Sequence, residues 1–234
     1  MTRKPAKPGW APPPRERVAG ILRRLRRRYG PLEPPLRREP LDELILTVLS
    51  QNTNDTNRDR AWAAMRARFP SWEDVADARE GDLVDAIRVG GLANTKAPRI
   101  QAILREVRVR EGGFDLGWMR DAPDARVAEY LATLPGVGPK TIACVLAFSL
   151  ARPALPVDTH VHRAATRLGL LPPGIAPGPA HPAIAEVVPA RSRIAMHVAL
   201  IRLGRDVCRA GRPRCAECVL AELCPTAPAF LGSG

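Results

Sequence analysis

Apolar residues recur along this chain at spacings of three and four, the period of a helix that buries one face. The first such face is set by Val18, Ile21, Leu22, Leu25 and Tyr29. Arg23, Arg24, Arg26, Arg27 and Arg28 fill the rest of that helix, and Gly30-Pro31 stops it. The same period predicts helices over about 41–49, 56–68 (with Trp62 and Met65 inward), 82–89, 96–110, 124–134, 141–150, 160–168 and 191–203. Ser71-Trp72-Glu73-Asp74 reads as a capped helix start. Gly90-Gly91 and Gly112-Gly113 end two of the helices, and Pro and Gly crowd 171–182, which is expected to be irregular. No alternating strand pattern is found. The fold class is therefore all-α, with about ten short helices.

The charge adds a partner to this picture. Lys and Arg number 36 against 24 Asp and Glu, a net charge of +12. Genome composition accounts for Arg in place of Lys but not for a surplus of positive over negative charge. A surplus of that size draws polyanions, and DNA, with about one charge per 1.7 Å of axis, is the obvious one. The 234 residues allow one large or two small domains. Residues 1–14, rich in Pro and basic side chains, read as a disordered arm, either passively solubilising or contacting DNA. No apolar run approaches the roughly 20 residues that span a bilayer. The basic N-terminus has no apolar segment behind it, so it does not read as a secretory signal. A cytoplasmic, nucleoid-associated protein without membrane contact is expected.

Two segments carry candidate chemistry. Between 124–134 and 141–150 lies Leu134-Pro135-Gly136-Val137-Gly138-Pro139-Lys140-Thr141. Its glycines admit backbone conformations closed to other residues and let a second backbone approach. Amides opening the next helix then point outward, where they hold phosphate. Leu134 and Val137 anchor the turn. A Gly-x-Gly connector is the plain alternative, but the complete string is that of a helix-hairpin-helix binder of DNA backbone. Lys140 opens an apolar helix, where the helix dipole and partial burial both favour a free amine over an ammonium. A free amine is a nucleophile able to form a Schiff base; alone, such a lysine reads as a solvated surface charge. Asp158, in LPVDTHVHR, stands where an N-cap is needed. A carboxylate beside an amine also steers its protons and stabilises an oxocarbenium-like sugar, and the two roles are compatible.

Four of the five cysteines, Cys208, Cys215, Cys218 and Cys224, crowd together beside Arg205 and around Arg209, Arg212 and Arg214. In a compartment where disulfides are rare, this points to zinc or an iron–sulfur cluster. Only Cys215 and Cys218 form the short pair that zinc knuckles repeat, so the spacing leans toward [4Fe–4S]. The expected role is to shape a basic loop against phosphates rather than to signal redox state. Cys144 lies on an apolar helix face and reads as core.

LPGVGPKT, VDTHVHR and Cys208-x6-Cys215-x2-Cys218-x5-Cys224, in that order, closely resemble the endonuclease III family of helix-hairpin-helix DNA glycosylases, over about residues 16–226. The resemblance implies two helical domains with DNA in the cleft between them. One is a six-helix barrel-like domain at 40–151. The other is an iron–sulfur cluster domain built from 15–39 and 152–234. By similarity, Lys140 attacks C1′ of the damaged nucleotide and Asp158 assists. The resulting imine leads to β-elimination at the abasic site. The implied activity is excision of oxidised pyrimidines, flipped from double-stranded DNA, by a monomer carrying a [4Fe–4S] cluster. Leu92 matches a leucine wedge, Asn52 (with Gln51 before it) the intercalating glutamine, and His160 an interfacial histidine. Gly136, Val137, Gly138 and Thr141 match the phosphate-binding hairpin. Asn52, Pro139 and His162 depart from the family pattern. Lys140 argues against the adenine-mismatch branch, which lacks it. A weakly catalytic damage-binding or redox protein on the same fold, or a glycosylase for another lesion, remain the alternative readings.

Overall fold

The computed structural model describes residues 9–34 and 36–231. Among these it contains twelve α-helices and no strand. The chain divides into two compact units. One is Arg37–Ala151; the other joins the residues up to Leu36 to those from Arg152 onward. No helix among the described residues is long and apolar enough to cross a membrane.

The 37–151 unit holds α2 (Pro40–Leu49), α3 (Asp55–Arg68), α4 (Trp72–Asp77), α5 (Glu80–Ile87), α6 (Ala93–Glu111), α7 (Asp124–Ala132) and α8 (Pro139–Cys144). Every residue of α2 except Asp42 is buried, so this helix runs through the centre of the core. Met65, Leu83, Ile87, Ile100, Ile103, Leu104, Val127 and Leu131 surround it. The helix starting after Ser71 has a complete capping box. Ser71 Oγ accepts from Asp74 N at 3.0 Å, and the Asp74 carboxylate accepts from Ser71 N at 2.9 Å. Gln101 on α6 donates to the carbonyls of Val75 and Ala78 at 3.1 and 2.7 Å, satisfying the end of α4. The stretch 141–150 is not one regular helix. After Cys144 it widens to a π turn at Val145–Ser149, closed by Leu150 N to Val145 O at 3.1 Å. Ser149, at the end of that turn, accepts through its carbonyl from Arg37 Nε and donates through its hydroxyl to Arg38 O.

The other unit holds α1 (Arg15–Tyr29), α9 (Thr159–Arg167), α10 (Pro177–Val187), α11 (Arg193–Asp206) and α12 (Pro228–Leu231). Val18, Ile21, Leu22 and Leu25 of α1 are buried with Val161, Ala164, Ile184, Met196, Leu200 and Leu203. The α9–α11 crossing is close. A Cβ at Gly204 would lie 2.8 Å from His160 Cβ and 3.2 Å from its backbone, so only glycine fits.

Two expectations need correcting here. The segment 171–182 is not wholly irregular, because α10 begins at Pro177. Proline is tolerated where the first-turn amides have no intrahelical acceptor, and buried Ala180, Ile184 and Val187 supply the packing. The arm at 1–14 is likewise not disordered throughout. Residues 1–8 lie outside the described residues, but Trp10 packs on the core of its unit and its indole donates to Gly169 O at 3.3 Å. The partly buried indole has both an apolar contact and a hydrogen-bond partner there.

Candidate active site and cluster loop

The hairpin is built by anchoring its apolar residues. Leu134 and Val137 are buried, and Val137 N donates to Leu134 O at 3.2 Å. Gly136 adopts φ +70°, a conformation that L side chains rarely enter. Its α-face is already occupied. A Cβ there would lie 2.5 to 2.9 Å from Nε, Cδ and Cζ of Arg99. At Gly138, the N-cap of α8, a Cβ would meet nothing within 4 Å, so this is the glycine whose surroundings are open to another backbone. Pro139 takes the first position of α8, where its missing amide removes no intrahelical bond. Thr141, the residue after Lys140, is 3% exposed and packs inward at the start of α8.

Lys140, half-buried in the first turn of α8, donates through Nζ to Ser50 Oγ at 3.2 Å. Ser50 stands at the C-terminal end of α2, so the central helix of the unit positions the amine. Gln51 and Asn52 follow it. Gln51 Oε1 accepts from Arg99 at 2.9 Å, while Asn52 is exposed with φ +51°. Leu92 is 54% exposed with φ +52° and serves as N-cap residue of α6.

Sequence reasoning missed Ser50 and Lys96. Lys96 is 1% exposed and donates to Leu49 O at 2.7 Å and Gly90 O at 2.8 Å. Burial pushes its amine down to about 8. The available signal was its position one residue before Ala97 and four before Ile100, on the buried face of α6. Glu43 on α2 is a second buried ionisable group. Burial pushes its carboxyl up to about 7, against the pull of Arg38 at 3.8 Å.

In the other unit, Asp158 is the N-cap of α9, and its Oδ1 accepts from Val161 N at 2.7 Å. The residues leading into it are pinned by two histidines. His197 Nδ1 donates to Pro156 O at 2.8 Å, and His181 Nε2 accepts from Val157 N at 3.0 Å. His160 Nδ1 lies 3.2 Å from Arg163 NH2. A guanidinium only donates, so Nδ1 accepts and the ring proton sits on Nε2. His162, a departure from the family pattern, donates through Nε2 to Ile175 O at 2.8 Å and so ties down the 171–175 loop.

Cys208, Cys215, Cys218 and Cys224 line one cavity walled by Leu168, Leu203, Val207 and Phe230. Arg167 NH1 donates to Cys208 Sγ at 3.5 Å. Burial first, and then the neighbouring cysteines, push the Cys215 and Cys218 thiols up. Among the described residues no three His, Cys, Asp or Glu side chains close on a single metal ion. Arg214 pairs with Asp206 and Glu217, whereas Arg209 and Arg212 are exposed.

Two helices, α7 and α8, joined by a glycine hairpin, with a lysine in the first turn of the second, define a helix-hairpin-helix protein. Residues 45–189 match the family profile described as HhH-GPD superfamily base excision DNA repair protein. The chain belongs to that superfamily and, within it, to the endonuclease III family. It is 35% identical over 186 residues to endonuclease III of Thermotoga maritima, covering 80% of this chain and 83% of that one. It is 43% identical over 132 residues to an Arabidopsis thaliana protein assigned as a DNA glycosylase, covering 56% of this chain and 45% of that one, so it spans less than half that relative's length. A solved structure of a trapped endonuclease III–DNA covalent intermediate superposes with a TM-score of 0.81 at 25% identity, covering 94% of this chain and 99% of that one.

Proposed function

We propose that the protein is a DNA base-excision repair glycosylase for oxidised pyrimidines that also cleaves abasic sites through a Schiff base on Lys140. The observation that carries this is the placement of Lys140 Nζ. It stands directly after the hairpin, half-buried, with Ser50 Oγ 3.2 Å away. In this reading the amine attacks C1′ of the extruded nucleotide and the base departs with the electron pair of the C1′–N bond. The amine then loses its proton as the sugar ring opens to the imine. Loss of the C2′ proton breaks the C3′–O bond. The resemblance gives Asp158, the N-cap of α9, the part of assisting that attack. The Gly138 hairpin takes the DNA backbone, Asn52 and Leu92 act as wedges, and His160 offers an Nε2 donor.

The four cysteines line one cavity, an arrangement that fits a [4Fe–4S] cluster held by four thiolates. When bound, the cluster supplies a covalent tie that fixes the 208–224 loop. Arg209 and Arg212 are exposed on that loop and offer cations to phosphate.

Borohydride trapping on abasic DNA tests the mechanism. Wild-type protein is expected to become covalently linked and Lys140→Gln to stay unlinked. Trapping by Lys140→Gln at the wild-type level would move the nucleophile elsewhere. A panel of duplexes containing thymine glycol, other oxidised bases and mismatches tests the lesion. Iron and sulfide analysis is expected to find about four of each per chain, and stoichiometric zinc without sulfide would reject the cluster.

A further inference from the structure

Asn52 and Leu92 both hold a left-handed backbone without being glycine, with φ of +51° and +52°. Such a conformation persists only where the surroundings over-determine it. The two residues sit on separate loops, one after α2 and one before α6, and both are exposed. A single side chain reaches the chain just upstream of each. Lys96 Nζ donates to Leu49 O and to Gly90 O, at 2.7 and 2.8 Å. Gly90 is itself wedged in place, since a Cβ there would stand 3.1 Å from Ala61 Cβ on α3. Downstream, Leu92 O accepts from Lys96 N at 2.9 Å. Lys96 thus holds the second loop from both sides.

Arg99 extends the same face of α6. Its NH1 donates to Gln51 Oε1 at 2.9 Å, and its Nε, Cδ and Cζ fill the space that a side chain at Gly136 would need. The Gln51-Asn52 loop, the Leu92 loop and the hairpin are therefore all gripped by two side chains one turn apart on one helix.

We infer that Lys96 and Arg99 are positioning residues that hold both wedge loops and the hairpin at one fixed spacing, so that Asn52 and Leu92 enter the base stack together. The inference rests on reading Asn52 and Leu92 as wedges. Lys96, 1% exposed, acts only through the two loops it holds. Methionine at 96 preserves length and apolar packing but removes the donor that both carbonyls share.

The test uses the full chain and a duplex bearing a tetrahydrofuran abasic analogue with 2-aminopurine opposite it. Wild-type protein at saturation is expected to raise the fluorescence by unstacking the opposite base. Asn52→Ala and Leu92→Ala should each reduce the rise. Lys96→Met should reduce it about tenfold, the scale of losing a charge-assisted hydrogen bond. Imine trapping on an abasic duplex is measured in parallel, with melting temperature. The ratio of fluorescence rise to trapping falls if Lys96 positions the wedges, whereas mere loss of folded protein lowers both alike. A full rise from Lys96→Met, with the rise lost in the two wedge variants, overturns the positioning role. A full rise in the wedge variants rejects the wedge reading instead. If Lys96→Met does not fold, Arg99→Leu decides the question, since a full rise there overturns the role.

Discussion

Ser50 Oγ stands 3.2 Å from Lys140 Nζ and donates its own proton to Thr47 O at 2.7 Å. The hydroxyl is thereby oriented with its lone pairs toward the amine. It accepts from Lys140 and so fixes where the nitrogen points. Ser50→Ala is expected to slow imine trapping by about tenfold, the scale of one hydrogen bond to a charged group, with little change in duplex affinity. Single-turnover trapping against protein concentration separates the two. A weaker affinity with an unchanged trapping rate would remove Ser50 from the amine's environment.

Asp158 can be dissected because its cap is visible. Asp158→Asn keeps an oxygen able to accept from Val161 N, and Asn and Asp cap about equally well. Melting temperature is expected to hold while excision falls by orders of magnitude, as for other electrostatic stabilisers. Asp158→Ala is expected to lose about 1 kcal/mol of stability as well. Wild-type excision rates in Asp158→Asn would reduce the residue to a cap.

Glu43 gives the fold a pH dependence with a definite sign. Its carboxyl is raised from 4.5 to about 7 by burial, so the folded state holds a proton there that the unfolded chain releases. The group's contribution is complete below about pH 4.5 and is lost as pH rises through 7. Glu43→Gln removes this slope. The variant should gain on wild type between pH 5 and 8, by at most about 3 kcal/mol. Denaturant melts at both ends of that range check it, and a parallel offset between the two proteins would contradict it.

The Gly204–His160 contact predicts the cost of one methyl group. Gly204→Ala places Cβ against the His160 backbone, which cannot yield as a flexible side chain would. The expected loss is about 1–3 kcal/mol, as for other overpacked sites. Duplex binding should weaken as His160 moves. An unchanged melting temperature would mean that α9 and α11 separate freely.

Where helices have one apolar face, the three-and-four spacing located them, as in α1 and α6. It failed where packing outweighed local preference. Pro177 and Pro182 read as punctuation, yet Ala180, Ile184 and Val187 have enough buried surface to hold α10 around them. Thr141–Leu150 has continuous apolar character that does not distinguish an α from a π turn. The positions of Lys140 in the first turn of α8 and of Asp158 as the N-cap of α9 were legible, because a hairpin string and a cap position mark them. Lys96 was not, since a lysine in a first helical turn ordinarily faces water, and only the two carbonyls brought near it by tertiary folding reveal its place. Trp10 was hidden in the same way, inside a Pro-rich stretch whose composition argues for disorder.

The two units differ in how they are strung on the chain. Arg37–Ala151 is continuous, so it has all its residues as soon as it leaves the ribosome. Helix α1 belongs with residues made much later; Arg17 donates to Leu168 O across 151 positions. At about 5–20 residues per second, that partner emerges roughly 8–30 s after α1. Through that interval Val18, Ile21, Leu22 and Leu25 have no surface of their own unit to cover them. Arg23, Arg26, Arg27 and Arg28 stand exposed on the same helix, so the uncovered stripe is flanked by like charges that oppose self-association.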